Sequence, residues 1–342
     1  MYEYELQKAA DKLVNDMFAV KPGEEVVITT DTRSCPAVAN AIAAAAFAAG
    51  AHPLVVNNPA PHGVGKAGDP ELPVACLSAL LETADVWIEL NKVWLLYSTP
   101  FERAFEKNEK LRYICMVEFD EELFIRVIGD VETKRLRTFM ERFAQMNRDA
   151  KHVHVTTPAG TDVEFDIEPR HKVACDAGDC SVPGMHMVTG QINVVPRFDS
   201  INGTIVFDGT IIPPFARTPD EPVRLTVEGG AIVKVEGGAD ARAYERFLKS
   251  FGDEGMLKMA HIAYGFNPGA KLTGNVVEDE RVWGVTEWGI GYVSPVDAPP
   301  AGQDAPSHSD GICLNSSVWL DGVQVLDEGK VTLPELNELY QH

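Results

Sequence analysis

Strand-like and helix-like segments alternate through residues 1–150, and this alternation limits the possible folds more than any other feature of the chain. GEEVVITTD reads as a buried strand, PAVANAIAAAAFAAG as an Ala-rich helix stopped at Gly50, and HPLVVNN as the next strand. Together they form a βαβ unit, and its crossover requires the two strands to pair in parallel. The pattern recurs: LPVACLSALLETA is helical, DVWIELN a strand, STPFERAFEKNEKLR a helix opened by a Ser/Thr cap, YICMVEF a strand, and VETKRLRTFMERFAQMNRDA a long amphipathic helix. An N-terminal open α/β sandwich is expected over 1–150.

From Lys151 the periodicity shortens. HVHVTTPAGTDVEFDI is two alternating runs around a Pro-Ala-Gly turn, GTIVFDGTI is a short strand, and VRLTVEGGAIVKVEGG is a hairpin turning on Gly229-Gly230. One helix, ADARAYERFLKSFGDEGM, precedes the apolar run MAHIAYGF. The Pro-rich segment PVDAPPAGQDAPSHSD reads as loop, and LPELNELYQH as a short terminal helix. Residues 151–342 are therefore expected to form a β-rich C-terminal domain.

Composition narrows the function classes. A chain of 342 residues with 45% hydrophobic content can bury a large core, while a net charge of −21 repels phosphate backbones and anionic bilayers. The densest basic stretch, KRLRTFMER at 134–142, alternates with apolar residues and reads as a solvated helix face. No apolar run is long enough to span a bilayer, and the acidic start MYEYE is unlike a secretory signal. Six scattered cysteines fit free thiols in a reducing compartment, so the expected location is cytoplasmic, with neither nucleic acid nor membrane as partner. The Gly-containing segment HGVGKAGDP at 62–70 has neither dinucleotide nor Walker order and reads as a surface loop or lid.

A few polar side chains stand where chemistry is possible. In a strand, residues i and i+2 share a side, so His308 and Asp310 can reach one metal; the same pair also describes a surface histidine beside a turn aspartate. His261 lies in an otherwise apolar run and needs a buried partner, as a metal ligand or as a satisfied core histidine. Glu287, in GVTEWGIGY, is isolated among apolar residues and must also be paired or solvated. His186, in VPGMHMVTGQ, falls on a Gly/Pro-flanked loop or strand edge, a position suited to proton transfer or simply to exposure. Two histidines and one carboxylate leave coordination positions open, which suits ferrous iron and also a catalytic zinc.

At these residues the chain resembles a known group. GQINVVPRFDSINGTIVFDG is similar to the G-E-[IV]-F-T-x-P-x-x-D-S-V-N-G-T-I-V-F stretch of the aminopeptidase T metallopeptidases, and MAHIAYGFNPGAK to their L-x-E-x-[GA]-[IL]-G-T-N-P. EDERVWGVTEWGIGY falls where they carry an acidic residue followed by G-T-x-H-x-A-x-G, and SHSDGICLNSSVWLDG where they carry H-x-D and a V-D-G turn. The resemblance covers most of 155–335 and implies a β-rich metal-binding domain of aminopeptidase T type. Where those peptidases hold two metals with two glutamates and a mid-sequence histidine, this chain has Gln191, His261 and Glu287. What remains, His261 with His308 and Asp310, resembles the ferrous site of the 2,5-dihydroxypyridine 5,6-dioxygenases, which share the fold.

That second resemblance implies one Fe(II), a small aromatic heterocycle and dioxygen as substrates, and ring cleavage between carbons 5 and 6 to N-formylmaleamate. It further implies His186 as acid/base, Ser294 as a hydrogen-bond donor to substrate or oxygen, and a homo-oligomer. Two rival readings make different predictions: a working aminopeptidase needs two metals, and a non-catalytic ligand-binding relative loses nothing when His308 is replaced.

Overall fold

The computed structural model describes residues 3–340. It divides into two compact units: residues up to Thr133 with Gly178–Thr189, and Lys134–Ala177 with the residues from Gly190 onward. Both units mix helices and strands, as the alternating texture of the sequence requires.

The first unit is built on β1 (Glu25–Asp31), β2 (His52–Asn58), β3 (Val86–Glu89) and β4 (Arg112–Cys115), with helices Pro36–Ala48, Val74–Leu81 and Thr99–Lys107 as crossovers. All pair in parallel, β1 lying between β2 and β3. Val26, Val27 and Ile28 of β1 are fully buried or nearly so, the continuous apolar run expected of a strand covered on both faces. Each such side chain stabilises the unit by about 1.5–3 kcal/mol on burial. Ser98 caps Thr99–Lys107 by accepting the Phe101 amide, as the Ser/Thr start of that helix predicted.

The compact units do not divide at residue 150. Helix Thr133–Asp149 goes with the second unit because its apolar stripe packs on aromatic residues there: Phe139 stacks on Trp283 at 5.5 Å and Phe143 meets Phe266 at 4.8 Å. Conversely, Gly184–Met187 returns to the first unit and adds a fifth parallel strand beside β4. Four residues carry too little periodicity to announce such a return.

Within the second unit, the expected hairpins form. His152–Thr156 pairs with Asp162–Asp166, and Val223–Glu228 with Ala231–Glu236, both inside an eight-stranded antiparallel sheet. A second sheet of six strands carries the site. Labelling in chain order, with β5 as Val173–Asp176 and β6 as Gly184–Met187, it uses β7 (Gln191–Val194), β8 (Ile211–Ile212), β9 (Met259–Gly265), β10 (Thr286–Val293) and β11 (Gln303–Cys313), in the order β8-β11-β10-β9-β7-β5. The segment expected as Pro-rich loop is strand from Gln303 onward. Pro306 is tolerated because β11 has β10 along one side, while β8 on the other side pairs only at Asp310 and Gly311. The final helix spans Pro334–Leu339; the last two residues of LPELNELYQH lie outside the described residues.

Candidate metal centre

Three adjacent antiparallel strands set the geometry. His261 on β9 faces Gly289 on β10, which in turn faces Asp310 on β11, and Gly291 faces His308. A register shift between Met259 and His261 re-aims the histidine. Gly289 makes the close approach possible, because a Cβ added there would lie 2.4 Å from His261 Cε1. His308 and Asp310, two residues apart on one strand, project to the same side.

The donors converge. His308 Nε2 lies 2.9 Å from Asp310 Oδ1, His261 Nε2 lies 3.9 Å from the same oxygen, and the two imidazoles stack at 5.1 Å with 13° between planes. One ligand atom from each of the three residues falls within 4.8 Å of the others. Donors at about 2.1 Å from a common ion on one octahedral face are spaced about 3 Å apart, so the cluster needs only small adjustments to hold a metal. His308 Nδ1 donates to the Tyr292 carbonyl at 2.9 Å, which leaves Nε2 as the nitrogen available to a ligand.

Electrostatics favour a cation here. Burial lowers His261 to about 4, with His308 contributing, so its imidazole is neutral and ready to ligate. Burial opposes ionisation of Asp310, yet His308 outweighs it and holds the carboxyl below its usual range. Glu287 is fully buried beside them, Oε2 3.0 Å from His261 Nε2, and its Oε1 has no hydrogen-bond partner among the described residues. Burial, then Asp310 and Glu280, push Glu287 well above the carboxylate range. Glu280 is raised to about 7 by burial and Asp310. Three crowded carboxyls, one left partly orphaned, are what a bound metal ion would relieve.

Sequence reasoning missed the polar support around this cluster. Arg281 is 1% exposed and donates to the Val277 carbonyl at 2.7 Å and to Gln191 Oε1 at 3.0 Å, while Gln191 Nε2 donates to Glu280 at 3.0 Å. A charged EDER run gives no hint that its arginine is buried. Only the pairing of β7 with β9, Gln191 opposite Gly265, brings Gln191 into the sheet that carries the histidine.

Two expected site residues remain. His186 is on β6 of the first unit, its Nε2 2.8 Å from the Val182 carbonyl. Ser294 follows β10, and its hydroxyl accepts the Val296 amide at 3.1 Å. Neither makes a hydrogen bond to the cluster among the described residues. Cys175 and Cys180 are free thiols, Cys180 buried, and among the described residues no helix is long and apolar enough to cross a membrane.

Against known proteins, residues 9–333 match the family model described as 2,5-dihydroxypyridine 5,6-dioxygenase. The chain is 26% identical over 267 residues to the 2,5-dihydroxypyridine 5,6-dioxygenase of Pseudomonas putida KT2440, covering 75% of this chain and 73% of that protein. Its fold is similar to the solved structure of the dihydroxypyridine dioxygenase from the same organism, with a TM-score of 0.79 at 22% identity over 98% of this chain and 99% of that one. It is also similar to wild-type AmpT of Thermus thermophilus, with a TM-score of 0.68 at 14% identity over 97% of this chain and 100% of that one.

Proposed function

The chain belongs to the 2,5-dihydroxypyridine 5,6-dioxygenase family, and from that premise we propose that it opens its ring substrate around one ferrous ion held by His261, His308 and Asp310. The observation that carries this reading is the convergence of two imidazoles and one carboxylate on a single point. Such a donor set leaves neighbouring positions free for a chelating substrate and dioxygen. Bound iron would supply a shared centre through which electrons pass between the hydroxylated ring and oxygen. Cleavage between ring carbons 5 and 6, with both oxygen atoms retained, gives N-formylmaleamate.

The chain's own residues prepare that centre. The Tyr292 carbonyl fixes the His308 tautomer, and Gly289 makes room for the His261 ring. Glu287, in contact with His261, holds a proton beside the ligands while Asp310 stays ionised. His186 is the proposed acid/base that takes the substrate hydroxyl proton, and Ser294 the proposed hydrogen-bond donor; both assignments rest on the family resemblance. Gln191 offers an amide where the related peptidases have a metal-binding carboxylate, and both ends of that amide are engaged by Arg281 and Glu280. That arrangement favours one metal over two.

A homo-oligomer and a cytoplasmic location complete the reading, the latter supported by six free cysteines. Protein purified without oxygen and analysed for metal tests the iron assignment. Stoichiometric iron, with activity restored by Fe(II) after chelation, is expected; stoichiometric zinc with no gain from Fe(II) contradicts it. His186→Ala should lower turnover and remove one limb of its pH profile, and an unchanged profile would end that assignment.

A further inference from the structure

We propose that the first unit carries a small-molecule site of its own that takes a planar monocarboxylate. The site is a half-open cavity of about 440 Å³ beyond the carboxyl ends of the parallel strands, within the range of ligand sites. Its lining residues follow β1 (Arg33), β2 (Ala60, Pro61, His62), β3 (Lys92, Val93, Trp94) and β4 (Glu118). From β1 the chain crosses outward to β2 and then back over β1 to β3. Open parallel sheets bind ligands at such a reversal because the loops on either side of it diverge and leave a crevice.

The walls are built rather than loose. Asp31 accepts the Arg33 amide at 2.7 Å and the Val93 amide at 2.8 Å, tying the loops after β1 and β3 together. The Gly65 amide donates to the Trp94 carbonyl at 3.1 Å, and Asp69 accepts from the Thr99 hydroxyl and amide. Both ends of the segment read from sequence as a loop or lid are thus pinned, and its His62 and Val64 form part of the rim.

Charge and shape select the ligand. Lys92 is neutralised by Glu118 at 2.5 Å, and His62 leans on Glu71 at 2.8 Å. Arg33 has no carboxylate partner among the described residues, so the cavity presents one uncompensated cation on a chain of net charge −21. A single anionic group matches it, whereas a second would find no free cation among the described residues of the lining. Trp94 and the apolar Val64 and Val93 are among the lining residues, an aromatic and aliphatic composition that suits a flat unsaturated body, and a guanidinium fork suits a carboxylate.

Calorimetric titration of the metal-loaded full chain with benzoate tests the proposal, with 2,5-dihydroxypyridine turnover followed in parallel. Benzoate should bind, Arg33→Gln and Trp94→Leu should each weaken it about tenfold, and Arg33→Lys should retain part of the affinity. Turnover of the Arg33→Gln protein should match the parent. The proposal is overturned by absent binding, by equal binding in Arg33→Gln, or by binding that survives there but disappears in His308→Ala, which would locate benzoate at the metal centre. Inorganic phosphate competing as well as benzoate would likewise overturn it, by showing a bare charge with no planar selectivity.

Discussion

Buried carboxyls occur in both units, and their partners differ. In the first unit Asp31 accepts backbone amides from Arg33 and Val93, and Glu89 accepts the Leu95 amide and the Tyr113 hydroxyl. Those groups shape loops: their acceptor capacity is directed to main-chain donors and a phenol. In the second unit Glu287 and Asp310 face imidazoles, and Glu287 keeps one oxygen without a partner among the described residues. Buried acid alone does not mark a reactive centre; acid that faces ligand-competent nitrogen and lacks enough donors does.

The contrast breaks most readily at Asp310. Asp310→Ala should release the metal and reduce turnover by about a thousandfold or more, while Glu89→Gln leaves metal content at the parent level; metal analysis beside steady-state rates reads both. If Asp310→Ala keeps full metal occupancy, the ligand set is wrong.

On the scaffolding side, burial raises Glu89 from the ordinary glutamate value of 4.5 to about 7. The folded state therefore keeps a proton that the unfolded chain has already lost. The first unit is unpenalised below the unfolded value, loses stability as pH rises from about 5 to about 7, and levels off above, a loss of up to about 3 kcal/mol. Glu89→Gln should flatten that dependence in chemical denaturation followed across pH. An equally steep slope in the variant would remove Glu89 as its source.

A smaller effect is expected where the backbone makes room for the second unit's imidazole. Gly289→Ala puts a methyl where the His261 ring lies, and metal affinity should fall about tenfold to a hundredfold with the fold retained by circular dichroism. Unchanged affinity would mean that the ring has room to shift without leaving the ligand set.

Much of this was legible beforehand, for stated reasons. The parallel strands of the first unit announced themselves as apolar runs separated by helical periods, and the Gly229-Gly230 hairpin by its turn residues. His308 and Asp310 were legible because spacing along one strand fixes a shared side. What escaped depends on pairing across strands or on packing partners. Gly289 matters only because register sets it between His261 and Asp310, and Arg281 only because β7 lies beside β9. The amphipathic stripe of Thr133–Asp149 was visible, but not which aromatic surface it would meet.

Ring-opening dioxygenation at a single iron consumes one dioxygen for each ring opened. Oxygen consumption by protein loaded with Fe(II) under anaerobic conditions, followed together with loss of the near-ultraviolet absorbance of 2,5-dihydroxypyridine, tests it most directly. Uptake equal to substrate loss, absent in Asp310→Ala, is the predicted result. No uptake, with hydrolysis of leucine amide under zinc, cobalt or manganese, would contradict it and make the chain a peptidase.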